Sequence, residues 1–287
     1  GNRRVITMNT EEYSEVVQTA QNYYNSDDAD NFYFHIWGGE DIHVGIYNNV
    51  DEDIATASQR TVATMAEELK GLGSDSRVID LGAGYGGAAR WLARTYGCRV
   101  SCINLSEAQN ARNREITAEQ GLQDRIEVID GSFEDLTYDN DQFDIAWSQD
   151  SILHSGERAK VMDEVDRIVK PGGEIIFTDP MQADDCPQGV LQPVLDRIHL
   201  DTLGSFDFYR RQAERLGWKE VNVRDLTPQL VCHYSRVRDE LTSRREELQQ
   251  WVSSEYIERM HQGLGHWIEA GRKGYLAWGI MHFQKTA

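Results

Sequence analysis

The chain has 287 residues, 40% of them hydrophobic, with 48 acidic side chains against 29 basic ones and a formal net charge of -19. That length suits one large domain, or one domain with a lid. The charge argues against a nucleic-acid partner, because phosphate binding needs clustered Lys and Arg. No apolar run approaches the roughly 18 residues of a membrane span, and the opening Gly1-Asn2-Arg3-Arg4 has no signal-peptide pattern. No membrane partner and a cytoplasmic location are therefore expected. Cys98, Cys102, Cys186 and Cys232 lack CxxC and zinc-finger spacing, which predicts reduced thiols and no metal centre. The acidity fits a soluble acidic protein or, more sharply, one from a salty cytoplasm, where screening makes self-repulsion tolerable.

In chain order, residues 1–10 read as a frayed tail. Glu11 to Asn25 reads as a helix with Val16, Val17, Ala20 and Tyr24 near one face, broken by Asn25-Ser26-Asp27-Asp28. Phe32-Tyr33-Phe34-His35-Ile36-Trp37 is dense in aromatics and is followed by Gly38-Gly39 and Ile42 to Tyr47. This is either an arm packing aromatics on the main domain or a lid over a small ligand, with hinges at Asn25–Asp30 and Gly38-Gly39. Asp51 to Leu72 reads as a helix, with Asp51 and Asp53 suited to its N-terminus.

Val78-Ile79-Asp80-Leu81 is a short apolar run with one acid, the pattern of a buried strand. Gly82-Ala83-Gly84-Tyr85-Gly86-Gly87 then lets the backbone turn sharply and approach a ligand, and Ala88 to Tyr96 has helical spacing. A ligand here meets the free amides of a helix N-terminus. Gly82, Gly84 and Gly87 satisfy the dinucleotide pattern G-x-G-x-x-G. The same stretch, Asp80 to Gly86, is also the D-x-G-x-G-x-G motif of S-adenosylmethionine (SAM) methyltransferases.

Five more strand-like runs follow: Arg99–Ile103, Ile126–Ile129, Phe143–Trp147, Glu174–Phe177 and Lys219–Arg224. Helical stretches, notably Glu107–Gln120 and Gly156–Val169, lie between most of them, and Pro171-Gly172-Gly173 reads as the turn into the fifth strand. The alternation predicts an α/β fold with a doubly wound, mostly parallel, Rossmann-like sheet. Gly189 to Leu216 reads as two helices, Tyr234 to Ala270 as a long charged helical insertion, and Tyr275 to Gln284 as a final strand. The expected units are a lid arm (1–50), a cofactor-binding core (51–228), a helical insertion (229–272) and a terminal strand returning to the core sheet (273–287).

Ligands of such sheets sit at the strands' carboxyl ends. A NAD site wants an acid at the end of the second strand; Asn104 stands there, and many SAM enzymes also use an acid, so neither cofactor is favoured. Asn104 and Gln109 can still bond ribose hydroxyls, although Ser106 and Gln109 also spell a capping box. After the third strand, Ser132 and Phe133 are placed for a cofactor base, with core filling the simpler role for Phe133. After the fourth, Gln149, Asp150 and His154 face the crevice. Asp150 and His154 are four apart, so a helical turn would put them on one face. A His at a strand end beside an acid is a general-base candidate.

The first motif, the segment Trp147-Ser148-Gln149-Asp150-x-x-Leu153-His154-Ser155, Lys170-Pro171-Gly172-Gly173 and Thr178-Asp179-Pro180-Met181 together resemble class I SAM-dependent methyltransferases. The aromatic arm with Trp37-Gly38-Gly39-Glu40-Asp41-Ile42-His43-Val44-Gly45 resembles the sarcosine/dimethylglycine N-methyltransferases, which make the osmolyte glycine betaine. The likeness runs to His266-Trp267-Ile268-Glu269 and the terminal strand. Asp150, His154 and the insertion also resemble phosphoethanolamine N-methyltransferases, where an Asp, a His and an N-terminal Tyr face the amine. The resemblance implies strand order 3-2-1-4-5-7-6 with the seventh strand antiparallel. It also implies SAM contacts at Gly82, Gly84, Asn104, Leu105, Ser132, Phe133 and Gln149, with Ile42 and His43 supplied by the lid.

Asp80 and Gln109 complete the expected cofactor set. His154, Asp150 and Tyr24 are the candidates for handling the amine proton, and Tyr24, Tyr33 and Trp37 for an aromatic wall. Arg197 is the first choice for a substrate carboxylate, with Arg210 and Arg211 behind it. The expected reaction is methyl transfer from SAM to sarcosine or dimethylglycine. Phosphoethanolamine or another small amine or hydroxyl is the alternative acceptor.

Overall fold

The computed structural model describes residues 14–19 and 27–287, and residues 15–19 are helical. The elements that follow are α1 (Asp27–Trp37), α2 (Ile54–Glu68), β1 (Arg77–Leu81), α3 (Gly87–Tyr96), β2 (Arg99–Asn104), α4 (Glu107–Glu119), β3 (Ile126–Asp130) and β4 (Phe143–Gln149). A 3-10 turn (Ile152–His154) leads to α5 (Arg158–Ile168), β5 (Val169–Thr178), β6 (Met181–Gln182), α6 (Gln192–Ile198), α7 (Phe206–Arg215) and β7 (Trp218–Asp225). Last come α8 (Thr227–Ser243), α9 (Arg245–Leu248), α10 (Ser254–Arg272), β8 (Leu276–Ala277) and β9 (Gly279–Lys285).

Seven strands form one sheet in the order β3-β2-β1-β4-β5-β9-β7. The pairs from β3 to β5 are parallel, and β9 runs antiparallel to both β5 and β7. This is the expected order, with β9 in the place of the seventh strand. The central strands are apolar on consecutive residues because both sheet faces are covered. Ile79, Leu81, Ile103, Ala146, Ile175, Phe177 and Phe283 pack on one face, and Val78, Val100, Cys102, Ile145, Trp147, Ile176 and Ile280 on the other. Each fully buried large side chain contributes about 1.5–3 kcal/mol of transfer free energy. Strand order reverses between β1 and β4, so the crevice lies beyond their carboxyl ends.

Several local expectations change. Asp27–Asp30 belong to α1 rather than to a break: Asp27, Asp28 and Asp30 complement the dipole at its first turn. The helix expected from Asp51 begins at Ile54, where Asp53 caps it by accepting from the Thr56 N–H at 3.3 Å. Pro171-Gly172-Gly173 lies inside β5, where pairing jumps from Phe143–Val169 to Ile145–Glu174. The last segment is two strands, β8 pairing with β6 before β9 joins the main sheet.

The arm and the insertion form one cap. Phe32, Ile36 and Trp37 of α1 share a core with Val237, Leu241, Leu248, Val252, Tyr256, Ile257 and Leu264. Asp28 accepts from the Ser253 N–H at 2.9 Å and its hydroxyl at 2.6 Å, while His35 stacks on Trp251 at 3.9 Å. On the core side, Arg112 donates to Asp30 at 2.8 Å, and the Tyr85 hydroxyl donates to the Asp30 carbonyl at 2.8 Å. Helix α1 is thus wedged between the glycine turn and the insertion. No helix among the described residues is long and apolar enough to cross a membrane.

Candidate active site

The crevice holds two adjoining hollows. A narrow cleft of about 80 Å³ is lined by Gly82, Gly84, Asn104, Leu105, Gln109 and Phe133, and shares Ile42, His43, Asp150 and His154 with its neighbour. Gly84 must be glycine twice over. Its φ is +57°, and a Cβ there would lie 2.9 Å from Ile42 of the arm. Asn104 accepts from the Gly84 N–H at 3.3 Å and donates to Gln109 at 3.0 Å. Ser106 accepts from the Gln109 N–H at 3.2 Å, so half of the capping box forms. The Gln109 side chain turns to Asn104 instead.

The residues beneath the cleft fit SAM. Asp80 Oδ2, Gln109 Nε2 and Gln149 Nε2 are buried without a hydrogen-bond partner, a costly state that a ligand would relieve. Burial, and then the Asp41 carboxylate, push the Asp80 carboxyl up to about 8; a ligand ammonium beside it would restore the charged form. Gln149, on the next strand, and Gln109 each offer a side-chain amide donor to a ligand. Phe133 joins the core and also lines the cleft. Ser132 is buried beside it and accepts from the Glu134 N–H at 3.1 Å.

Drug-sized ligands occupy pockets of roughly 300–1,000 Å³, so the cleft must widen to admit SAM. Ile42, seated over Gly84, is the group in the way. Amide exchange across residues 38–47 is expected to slow when SAM or S-adenosylhomocysteine is added, as the arm closes on the ligand. Equal protection with and without ligand would contradict an arm that opens.

The second hollow, about 420 Å³, opens beside the first. Tyr33 and Trp37 come from α1, Arg197 from α6, His233 and Tyr234 from α8, and Tyr256, Arg259 and Trp267 from α10. Tyr33 and Trp37 lie 5.5 Å apart, and Tyr234 and Trp267 5.2 Å apart, as tilted pairs. The Trp37 indole N–H donates to the His43 carbonyl at 3.3 Å. His233 Nδ1 accepts from the Gly45 N–H at 3.2 Å and lies 2.7 Å from the Tyr47 hydroxyl. That network assigns its proton to Nε2.

His154 ends the 3-10 turn after β4 and borders both hollows. Burial, helped by Arg158, pushes its pKa down to about 4, so at neutral pH the imidazole is an acceptor. Asp179 holds the turn by accepting from the Leu153 N–H at 2.9 Å, and the Tyr209 hydroxyl donates to the same carboxylate at 2.6 Å.

Residues 79–177 match the family model described as methyltransferase domain. Over 278 residues the chain is 56% identical to the sarcosine/dimethylglycine N-methyltransferase of Halorhodospira halochloris, covering 97% of this chain and 100% of that one. The chain belongs to the sarcosine/dimethylglycine N-methyltransferase family. The protein of the same description from Aphanothece halophytica is also 56% identical, over 94% of this chain and 98% of the relative. Among solved structures, a Galdieria sulphuraria protein described as a sarcosine dimethylglycine methyltransferase superposes with TM-score 0.88 at 45% identity, covering 92% and 99% of the two chains. A Haemonchus contortus phosphoethanolamine N-methyltransferase 2 has TM-score 0.82 at 17% identity, over 95% of this chain and 61% of that one. At that identity the likeness is one of fold.

Of the expected cofactor residues, Ile42, His43, Gly82, Gly84, Asn104, Leu105, Gln109 and Phe133 line one cleft, whereas Asp80, Ser132 and Gln149 are buried and do not line it. Asp150 departs from its expected pairing. Its carboxylate accepts from the Val44 N–H at 2.7 Å, the Trp278 indole at 2.8 Å and the Thr178 hydroxyl at 3.0 Å, rather than from His154. The reason is backbone geometry: Asp150 has φ 55°, so the chain does not run from it to His154 as an α-helical turn. It ties the arm to the core while still facing the hollow. Arg197 lines the hollow, whereas Arg210 and Arg211 lie in ion pairs with Glu220 and Asp207 and line neither hollow. Tyr24, and Ala20 of the same expected helix face, lie outside the described residues. His233, Tyr234 and Arg259 were not among the expected site residues, and Trp267 entered only through the resemblance of His266-Trp267-Ile268-Glu269.

Proposed function

We propose that the protein is a SAM-dependent N-methyltransferase that methylates sarcosine and dimethylglycine towards glycine betaine. The observation that carries the reading is one continuous crevice. It joins a cleft suited to SAM with an aromatic hollow bearing an arginine, and a neutral histidine stands at their junction. Bound in the cleft, SAM supplies an electrophilic methyl on its sulfonium. The chain's own task is to align an amine with that methyl, exclude water and remove a proton.

A free alkylamine has a pKa near that of Lys, about 10.4, so the substrate arrives mainly as ammonium. Tyr33, Trp37 and Tyr234 offer ring faces to that cation, and Asp150 adds a carboxylate to the same wall. His154 takes the ammonium proton, leaving the nitrogen lone pair free. Arg197 takes the substrate carboxylate through its planar fork. Gly82, Gly84, Asn104, Gln109 and Phe133 hold the cofactor, with Asp80 and Gln149 at its amino-acid end. Comparing kcat/KM for dimethylglycine and phosphoethanolamine tests the acceptor class: dimethylglycine is expected to be the preferred substrate. Preference for phosphoethanolamine would overturn the assignment.

A further inference from the structure

Helix α10 carries Gly263 and Gly265 in its interior. Glycine weakens a helix relative to alanine, so Gly263 calls for a reason beyond helix formation. A Cβ at Gly263 would overlap Nε, Cζ and Nη2 of Arg197. Arg197 Nη2 donates to the carbonyl of Arg259, one turn earlier on the same helix. The missing side chain therefore makes a notch in α10, and the Arg197 guanidinium lies in it. Gly263 and Arg197 both border the larger hollow. Gly265 differs: a Cβ there would meet nothing nearer than Arg238 Nη1, at 3.8 Å.

Arg197 needs such a seat. It stands in the last turn of the short helix α6, which ends at His199 in a left-handed conformation. Its long stem could point the guanidinium many ways, and a bidentate grip requires one orientation. We propose that the Gly263 notch fixes the Arg197 fork at the wall of the hollow and thereby sets the enzyme's preference for amines that carry a carboxylate. The proposal rests on the reading of Arg197 as the carboxylate partner. Gly263 is a positioning residue within it.

Gly263→Ala is a mild change for the fold. Alanine favours the helix, and the displaced atoms are the far end of a flexible side chain. The test compares Gly263→Ala, Gly265→Ala, Arg197→Ala and the double variant Gly263→Ala/Arg197→Ala. Dimethylglycine is the substrate, and N,N-dimethylaminoethanol, which lacks a carboxylate, is the competitor. Gly263→Ala is expected to raise KM for dimethylglycine about tenfold, the scale of one charge-assisted hydrogen bond. Its kcat, its SAM affinity and the Ki of dimethylaminoethanol should stay at wild-type values. Gly265→Ala should match wild type throughout. The double variant should be no worse than Arg197→Ala, since both changes act through one guanidinium.

A wild-type KM in Gly263→Ala overturns the proposal. So does an equal weakening of both amines, or effects that multiply in the double variant. A wild-type KM in Arg197→Ala removes the carboxylate role of Arg197 and the notch with it. Turnover of dimethylglycine by the wild-type enzyme reports separately on the methyltransferase reading.

Discussion

Replacing His154 by alanine is expected to lower kcat by roughly 10²–10⁴, the usual range for loss of a general base, with little change in SAM affinity. The imidazole sits at the junction of the two hollows and stays neutral, because burial and Arg158 hold its pKa near 4. A lowered histidine pKa keeps the His154 lone pair free across the neutral range, so a proton taken from the ammonium is passed on to solvent rather than held. Because His154 deprotonates bound ammonium, the wild-type rate should depend less steeply on pH across the neutral range than the rate of the variant. Raising pH should partly restore the His154→Ala enzyme, because more substrate arrives unprotonated. Sarcosine and dimethylglycine should respond alike, since each loses one proton before attack. A wild-type kcat in the variant would remove the catalytic role. A slow variant without alkaline rescue would make His154 a positioning residue and pass the proton to water.

Gly84→Val is expected to abolish measurable SAM binding by calorimetry. Its φ of +57° is a region that a β-branched residue avoids. The strain of such a residue is on the order of 1–3 kcal/mol, which a domain of this size can absorb. The local cost is heavier. The Cβ would point at Ile42, where the arm covers the cleft, and the branch would fill the space that SAM must enter. Thermal unfolding of the ligand-free variant should remain cooperative. Unchanged SAM affinity would contradict the placement of the cofactor on this turn.

The two halves of the site were unequally legible in the sequence. The proposed cofactor half was readable because its residues end or follow strands: Asp80 near the end of β1 and Gly82 just after it, Asn104 ending β2, Phe133 after β3 and Gln149 ending β4. Strands buried on both faces give apolar runs, and the switch-point rule places whatever follows them. The substrate half has no such local grammar. Tyr33, Arg197, His233 and Trp267 come from four helices separated by up to most of the chain, and only the packing of α1 against the insertion brings them together. The cap was therefore read as two separate units.

Asp150 shows a different limit. Spacing of four implies a shared face only on an α-helix, and one residue at φ 55° sent the carboxylate to Val44 and Trp278 instead. The Pro171-Gly172-Gly173 segment, expected as the turn into the fifth strand, lies inside β5, where it interrupts the pairing with β4.

The crevice is proposed to move a methyl from SAM to the nitrogen of a carboxylated amine. Mass spectrometry of products formed with trideuteromethyl-SAM tests it directly. Dimethylglycine should give betaine carrying one labelled methyl on nitrogen, and sarcosine should give dimethylglycine with one label and betaine with two. Label found on oxygen or carbon, or a protein that binds SAM yet leaves both amines unlabelled, would contradict the account.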